Sequence, residues 1–347
     1  MHNLIQDLKG NIRVFCRVRP VLMDDGEKPL CRISFPDDHS LEISKQLSGE
    51  LEDSKSEFSF DQVFSQDSTQ IEVFEELSHL VQSAIDGYDV CVFAYGQTGS
   101  GKTYTMQGGA GSKMGMIPRT SALIFHYIEE LSKSGWEYTV EVSFLEVYNE
   151  VIRDLLNQHG QKKMDIHYNE GKGTTVTNLT IQPVKSAAEL EKFISVAHNF
   201  RTTAATNFNA HSSRSHAVTK IYIAGTNPQH GIAYKGSINL VDLAGSESAK
   251  TSGSDCRLQE TKNINKSLST LGDVMYALCN KNKHIPYRNS KLTYLLQSSL
   301  GGNSKTLMIV NISPFVECFR ESIQSLRFAA KVKEVKTVIK RNKSNLQ

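Results

Sequence analysis

The segment Gly96-Gln-Thr-Gly-Ser-Gly-Lys-Thr103 sets the architecture expected of this chain. It fits the pattern G-x-x-x-x-G-K-[ST], in which glycines let the backbone curl so that successive N–H groups point at phosphate oxygens. Lys102 would place a charge on the β- and γ-phosphates, and Thr103 would offer a hydroxyl to Mg²⁺. A short apolar strand, Asp89 to Tyr95, precedes the loop and a helical pattern follows it. This context disfavours the alternative, a glycine-rich turn without a ligand.

The segments around this loop alternate between strand and helix patterns. Residues 11–19 alternate as a strand does, and residues 69–86 place apolar side chains on one helical face behind a capping box of Thr69 and Glu72. Further strands are predicted at 138–148, 217–224, 237–241 and 306–312, and further helices at 186–204, 257–282 and 317–336. The interleaved order, without a long linker, predicts one α/β domain.

Composition excludes several classes of protein. The 347 residues are 39% hydrophobic and 22% charged, which is typical of a globular chain. The net charge of only +2 argues against a nucleic-acid binder, and we expect no membrane association because no apolar run approaches about 18 residues. The start, Met1 to Arg13, has no hydrophobic signal core. The six cysteines have no metal-binding spacing and are expected to be buried free thiols in a reducing cytosol.

Two later segments have the chemistry of γ-phosphate sensors. In Val241-Asp-Leu-Ala-Gly245, Asp242 ends a strand. In P-loop NTPases an acidic residue at such a position holds Mg²⁺ through water. The Gly245 N–H would then face the γ-phosphate. Read alone, Asp242 is also an ordinary strand-to-turn aspartate. The run Asn209 to His216 concentrates hydroxyls, an amide and a guanidinium, although by itself a serine-rich polar loop would be favoured. No N-K-x-D motif lies at a suitable place downstream, so ATP is preferred over GTP.

Together these motifs resemble a known family. The segments 93–103, 209–216 and 242–247 resemble the P-loop, switch I and switch II of a kinesin motor domain. Arg17-Val-Arg-Pro20 resembles its adenine-side motif, and residues 284–293 resemble its tubulin-facing loop and helix. The likeness covers about Gly10 to Val335. It implies a P-loop NTPase of the kinesin motor fold, with a central mixed β-sheet and helices on both faces.

The resemblance extends to a subclass. The helical start ending in Asp7-Leu-Lys-Gly-Asn11 is similar to the kinesin-14 class, whose motor lies at the C-terminus and moves toward microtubule minus ends. Several short segments are nearest to the non-claret-disjunctional (Ncd) group. We therefore expect residues 1–10 to be the end of a coiled-coil neck helix, 11–335 the motor ATPase domain and 336–347 a basic tail. The start is alternatively a remnant without function of its own, since two turns cannot hold a helix alone.

The resemblance also implies a nucleotide site for ATP and Mg²⁺. The residues expected to bind nucleotide are Arg17, Arg19, Pro20, Gly96, Gln97, Thr98, Gly99, Ser100, Gly101, Lys102, Thr103 and Tyr104. Tyr104 would stack on the adenine, although a core aromatic is the simpler interpretation of that residue alone. The residues expected to hold Mg²⁺, directly or through water, are Thr103, Ser213 and Asp242.

A catalytic set follows from the same resemblance. Asn209 and Ser212 would hold the attacking water, and Gly245 would contact the γ-phosphate. Arg214 and Glu247 would form a salt bridge between the two switches when the site closes. Glu247 would then accept a proton through a second water.

Positive charge is expected where the domain meets acidic tubulin. The candidates are Lys250, Arg257, Lys262, Lys266, His284, Arg288 and Lys291, with Arg153 a weaker one. Each taken singly is more often a solvated surface charge.

The expected function is that of a microtubule-stimulated ATPase motor, minus-end-directed by kinship, with spindle roles in the cytoplasm. A homodimer formed through an upstream coiled coil is expected. One alternative is a microtubule crosslinker with incidental ATPase activity. Another is a microtubule depolymerase, which the kinesin-14-like start disfavours.

Overall fold

The computed structural model describes residues 2–8, 10–45, 55–157, 162–169, 173–206, 213–247, 255–301, 304–335 and 343–345. The predicted residues Asn209, Ser212 and Lys250 lie outside these ranges. Helix α6, defined below, includes Arg257 and Lys262, whose side chains are also outside the described part.

Strands and helices interleave along the whole domain. The strands are β1 (Ile12–Val18), β2 (Arg32–Asp37), β3 (Ser40–Ser44), β4 (Ser56–Ser59), β5 (Gln62–Phe64), β6 (Asp89–Tyr95), β7 (Glu137–Tyr148), β8 (Val151–Asp154), β9 (Ile166–Asn169), β10 (Gly173–Val176), β11 (Gln182–Val184), β12 (Ser215–Asn227), β13 (Ile232–Asp242), β14 (Ser304–Ile312) and β15 (Lys343–Asn345). The helices are α1 (His2–Leu8), α2 (Gln70–Ile85), α3 (Lys102–Met106), α4 (Met116–Ser132), α5 (Ala187–Thr206), α6 (Asp255–Cys279), α7 (Lys291–Leu295), α8 (Gln297–Leu300) and α9 (Phe319–Lys333).

The main sheet is mixed, as predicted. Its strands follow the order β11-β7-β12-β13-β6-β14-β1-β5, with β8 paired to β7 and β15 paired to β13. The half from β13 to β5 is parallel, whereas β7, β12 and β13 form a long antiparallel run. Because β6 and β13 run parallel as neighbours, their carboxyl ends bring the P-loop and Asp242 to the same edge of the sheet.

Helices cover both faces of this sheet. In β6, Cys91 and Phe93 pack into the layer formed with α6, α7, α8 and α9, while Val90 and Val92 pack into the layer with α2, α4 and α5. Successive strand side chains point to opposite faces, so a buried strand feeds two cores. This arrangement confirms the predicted helices on both faces.

Strand β1 is more deeply buried than its alternating sequence indicates. All seven of its residues are buried, including Arg13 and Arg17. Both guanidinium groups have side-chain amide partners, since Arg13 donates to Gln6 at 2.9 Å and Arg17 donates to Gln70 at 2.6 Å. The polar positions of β1 therefore face a second core rather than solvent.

Helix α2 matches its prediction, whereas α4 carried no predicted start. Thr69 and Glu72 form the expected capping box of α2. Helix α4 begins after Gly115, without a side-chain cap, and has Pro118 in its first turn. Proline fits a first helical turn, but a glycine-rich approach hides the helix start in the sequence. Small sheets β2-β3-β4 and β9-β10 were not predicted either.

Both ends of the described chain pack on the domain. Asn3 of α1 donates to Asp86 after α2, and Gln6 accepts from Arg13 in β1. At the other end, β15 continues the antiparallel part of the sheet beside Ile232 to Tyr234. The boundaries proposed at 10 and 335 remain predictions. None of the described helices has the length and hydrophobicity needed to cross a bilayer.

Candidate active site

The glycine-rich loop has the backbone conformation that its sequence predicts. It runs from the end of β6 to the start of α3, and Gly96, Gly99 and Gly101 all have positive φ angles. A Cβ atom on Gly96 would lie 2.1 Å from the carbonyl oxygen of Asn311 in β14. Only glycine fits there, because both the φ angle and the space exclude a side chain.

Lys102 is held inside the curl of this loop. Its Nζ atom donates to the carbonyl oxygens of Gly96 at 2.8 Å and Gln97 at 2.9 Å. The side chain is buried, and desolvation lowers the pKa of the ammonium while Asp242 and Glu247 oppose that shift. A desolvated cation beside inward-facing backbone groups is suited to attract phosphate oxygens.

Thr103 and Asp242 meet as the metal-site prediction requires. The Thr103 hydroxyl donates to Asp242 Oδ2 at 2.9 Å. Asp242 ends β13 and is almost fully buried, and its Oδ1 atom has no hydrogen-bond partner among the described residues. A buried carboxylate oxygen with spare acceptor capacity beside a threonine hydroxyl fits hydrated Mg²⁺, so the residues present suit the predicted ion.

A buried arginine that sequence reasoning missed holds Asp242 from behind. Arg201 of α5 pairs with Asp242 Oδ2 at 2.8 Å and donates to the Ser215 carbonyl at 3.1 Å. Its Nε atom lies 3.8 Å from Glu146 Oε1 in β7. Arg201 and both carboxylates are almost fully buried. No motif announces Arg201, because its partners come from distant strands.

The turn after Asp242 contacts both the P-loop and switch I. The Gly245 N–H donates to the Ser213 carbonyl at 2.8 Å, and the Ser246 N–H donates to the Gly96 carbonyl at 3.0 Å. The Gly245 N–H is thus bound to a protein carbonyl here, and its contact with the γ-phosphate stays a prediction. Ser213 reaches the site through its backbone in these contacts, and its role toward Mg²⁺ also stays a prediction.

Glu247 is bound to the P-loop in this conformation. Its Oε2 atom accepts from the Thr98 backbone N–H at 2.7 Å, and its Oε1 atom accepts from the Thr98 hydroxyl. A Cβ atom on Gly245 would clash with both Glu247 and Thr98. Because both carboxylate oxygens are engaged by Thr98, the predicted pairing of Glu247 with Arg214 stays a prediction for the closed site.

The adenine-side residues form two layers. Arg17 is buried and donates to Gln70 at 2.6 Å and to Thr105 at 3.0 Å, with its guanidinium 5.5 Å from the centre of the Tyr104 ring. Desolvation by burial lowers the pKa of Arg17. Tyr104 itself is 42% exposed, so the core-aromatic interpretation of this residue is wrong. Arg17 therefore supports Tyr104 from behind.

Arg19 reaches the P-loop itself. It donates to the Gly99 carbonyl at 2.7 Å, and both carboxylate oxygens of Asp25 accept from its Nη2 atom. Its guanidinium also lies over the Phe315 ring at 5.6 Å. Pro20 follows on the exposed surface. Asp25 is a partner that the sequence motif does not reveal.

The described track candidates cluster around α6 and α7. Lys266, His284 and Arg288 are exposed, and Lys291 begins α7 with its side chain half-buried. The Arg153 guanidinium lies 4.8 Å from the centre of the Tyr148 ring on the neighbouring hairpin. Arg153 and Lys291 line the same surface pocket.

The tip of the β7–β8 hairpin joins α6 and α7. Asn149 and Glu150 both have positive φ angles. The Asn149 side chain accepts from Asn263 of α6 at 2.6 Å, and Glu150 accepts from the Lys291 N–H at 3.0 Å. The hairpin therefore ties α6 and the start of α7 to the sheet.

Comparison with known sequences identifies the domain. Residues 17–335 match the family described as Kinesin motor domain. The chain belongs to the kinesin motor-domain family. It is 52% identical over 349 residues to Carboxy-terminal kinesin 2 of Xenopus laevis, with 96% of the chain and 54% of that protein covered. It is 51% identical over 347 residues to Protein claret segregational of Drosophila melanogaster, covering 99% and 49% respectively.

A solved kinesin has the same fold. The structure described as "Structure of a fast kinesin: Implications for ATPase mechanism and interactions with microtubules" is 38% identical, with a TM-score of 0.87 over 97% of this chain and 95% of that one. The predicted kinesin fold, the kinesin-14 likeness and the assignment to an ATP-hydrolysing class of motor domain are confirmed. The chain spans about half the length of the curated relatives it matches.

Proposed function

We propose that the chain is the motor domain of a microtubule-stimulated ATPase, minus-end-directed, which converts ATP hydrolysis into force on microtubules. The observation that carries this proposal is the contact between the switch II turn and the P-loop. The Ser246 N–H donates to the Gly96 carbonyl at 3.0 Å, and α6, the next described element in sequence, exposes Lys266. A change at the phosphate site can therefore bias the position of the track-facing helix.

The nucleotide proposed is ATP with Mg²⁺. Lys102 and the P-loop N–H groups would bind the phosphates, while Tyr104 and Arg19 would contact the adenine side. Thr103 and Asp242 would hold the ion, with Ser213 joining when the site closes. When bound, Mg²⁺ neutralises negative charge on the phosphate oxygens.

The remaining residues are proposed to position water and move a proton. Asn209 and Ser212 would orient the attacking water, and Gly245 would donate its N–H to the γ-phosphate. Glu247 would leave Thr98, pair with Arg214 and accept the proton through a second water. Phosphoryl transfer needs positioning and charge neutralisation more than covalent help, and this set provides both.

The track surface proposed comprises Lys250, Arg257, Lys262, Lys266, His284, Arg288 and Lys291. Its support is the exposure of Lys266, His284 and Arg288 around α6 and α7, with the half-buried Lys291 at the start of α7. Binding should weaken as salt rises, because exposed charges are screened.

Direction, assembly and location are proposed from kinship. The likeness to Carboxy-terminal kinesin 2 supports the kinesin-14 assignment, and from that class we infer minus-end movement and a place on cytoplasmic and spindle microtubules. A homodimer through a coiled coil upstream of α1 is supported by Leu8, which is 81% exposed at the end of that helix.

The test is microtubule gliding on polarity-marked filaments with the native neck attached. We expect minus-end-directed gliding by the wild type and none by Lys102→Ala, because this variant lacks the phosphate-binding cation. Lys133→Ala, which removes an exposed lysine paired with Glu130, is the matched control and should glide normally.

Each rival outcome has a distinct signature. Gliding that persists in Lys102→Ala would contradict the motor proposal, and plus-end movement would contradict the kinesin-14 assignment. Bundling without gliding by the wild type would fit a crosslinker, and shortening of filaments would fit a depolymerase.

A further inference from the structure

A chain of buried hydrogen bonds joins the switch II turn to α6. The Ala244 N–H donates to His216 Nδ1 at 3.0 Å, and His216 Nε2 lies 2.8 Å from Ser267 Oγ. The Ser267 hydroxyl then donates to the Ile264 carbonyl at 2.7 Å. Ala244 lies between Asp242 and Gly245, whereas Ser267 follows the exposed Lys266 on the helix. The chain thus runs from the phosphate-sensing turn to the track-facing helix.

The hydrogen-bond donors determine where each proton lies in this chain of hydrogen bonds. Because the Ala244 N–H can only donate, His216 Nδ1 must carry the lone pair and Nε2 the proton. Nε2–H then donates to Ser267 Oγ, whose own hydrogen is directed to Ile264. The imidazole is therefore neutral, with Nδ1 bonded to the switch II turn and Nε2 bonded to α6.

Burial makes this arrangement specific. Ala244, His216 and Ser267 are each at most 2% exposed. Desolvation, aided by Arg201 and Lys102, lowers the pKa of His216 to about 3, so the ring stays neutral near neutral pH. A buried donor that loses its partner costs considerable free energy. When the His216 ring moves, Ser267 therefore has to move with it for their hydrogen bond to be kept.

The apolar contacts of α6 with the core differ in kind from this hydrogen bond. Ile264, Leu268 and Leu271 pack by burial of apolar surface, which has no direction and tolerates small sliding. A hydrogen bond weakens steeply as its angle falls, so it transmits a small displacement or rotation. The position of Ser267 is consequently tied to the orientation of His216.

We propose that His216 is a positioning residue that couples the switch II turn to α6, with Ser267 as its contact on the helix. The proposal rests on the motor function proposed above. His216 does not touch nucleotide in this role. It sets where α6 lies for each position of Ala244.

The chain offers a matched pair of serines to test this coupling. Ser267→Ala removes the hydroxyl that meets His216. Ser269→Ala removes an exposed hydroxyl on the same helix that makes the same kind of bond, to the carbonyl of Lys266 at 3.1 Å. Basal ATP turnover should remain within about twofold in both. Microtubule stimulation should fall about fivefold to tenfold in Ser267→Ala, the effect of one buried hydrogen bond, and stay normal in Ser269→Ala.

A second measurement separates this proposal from the proposed function. Amide hydrogen exchange of α6 is compared with ADP and with a non-hydrolysable ATP analogue, without microtubules. The wild type and Ser269→Ala should show a nucleotide-dependent change in exchange, and Ser267→Ala should lose it. Absent microtubule stimulation in the wild type would sink the motor proposal, whereas this exchange difference would still test the coupling.

His216→Asn serves as the second variant and tests whether the two residues act as a unit. Its amide oxygen can still accept from Ala244 but cannot reach Ser267. We expect it to reproduce the Ser267→Ala loss, and the double variant to be no worse than either single one. Additive losses, or normal coupling in either single variant, would overturn the proposal. If Ser267→Ala fails to fold, His216→Asn alone decides by the same two measurements.

Discussion

The adenine side and the γ-phosphate side of the candidate site are built on different kinds of contact. On the adenine side, Arg17 binds Gln70 and Thr105, and Arg19 is held by Asp25, all side chains outside the predicted site, although Arg19 also donates to the Gly99 carbonyl. On the γ-phosphate side, the predicted functional groups bind one another. Lys102 donates to P-loop carbonyls, Thr103 donates to Asp242, and Glu247 accepts from Thr98.

This difference separates recognition from switching. We expect the adenine-side contacts to persist while nucleotide enters and leaves. The γ-phosphate-side contacts are exchangeable, because the same atoms are those proposed to bind phosphate, Mg²⁺ and Arg214. Nucleotide state can therefore be converted into conformation only where one set of hydrogen bonds replaces another.

The largest expected effect is on stability, and it comes from removing Arg201, which holds Asp242 on the γ-phosphate side. Arg201→Met keeps the side-chain length but leaves Asp242 and Glu146 as buried carboxylates without this guanidinium. We expect the free energy of unfolding to fall by about 3–5 kcal/mol. Urea unfolding measures it. Lys192→Met, on the exposed face of the same helix, should have no measurable effect. A urea-unfolding midpoint of Arg201→Met equal to that of the wild type would show that Arg201 does not contribute to stability.

An intermediate effect, on basal ATP turnover, is expected when the bond that holds Glu247 to Thr98 is weakened. Thr98→Val keeps the backbone N–H but removes the hydroxyl that binds Glu247. Loss of one hydrogen bond to a charged group favours release of Glu247 by about tenfold, and basal ATP turnover should rise by up to that factor. Thr98→Ser restores the hydroxyl and should behave as the wild type. Basal turnover that is equal in the valine and serine variants would refute the role of Thr98 as a resting partner for Glu247.

The smallest effect is expected on the adenine side. Asp25→Asn leaves Arg19 with one side-chain acceptor instead of a carboxylate, so its hold on the Gly99 carbonyl should loosen. We expect KM for ATP to rise about threefold to tenfold with kcat unchanged, because only binding is affected. Asp24→Asn is the neighbouring exposed control. A fall in kcat would place Asp25 in the switching machinery and blur the comparison.

Sequence reasoning succeeded where function imposes a local pattern. The P-loop, the Thr69–Glu72 cap and the strand that ends at Asp242 each occupy a few consecutive residues, and the structure has all three. The parallel pairing of β6 and β13 then brings two of these segments together, as expected for an α/β sheet.

It failed where a partner is distant or a helix start is unmarked. Arg201 and Asp242 are 41 residues apart, and His216 and Ser267 are 51 apart. Neither pair has a spacing that could reveal the contact, because tertiary folding alone creates it. Helix α4 was missed for the local reason that glycine, rather than a capping side chain, precedes it.

The hairpin tip at Asn149 and Glu150 also has a mechanical consequence. It is attached to α6 and α7 on one side and continues into β7 on the other, and β7 pairs with β12 from Tyr148 to Glu137. The hydrogen bonds of an antiparallel ladder lie perpendicular to the strands. A pull on the tip along β7 therefore loads the paired length in shear. Tension from either helix is shared by the whole strand, instead of peeling the sheet apart one residue at a time.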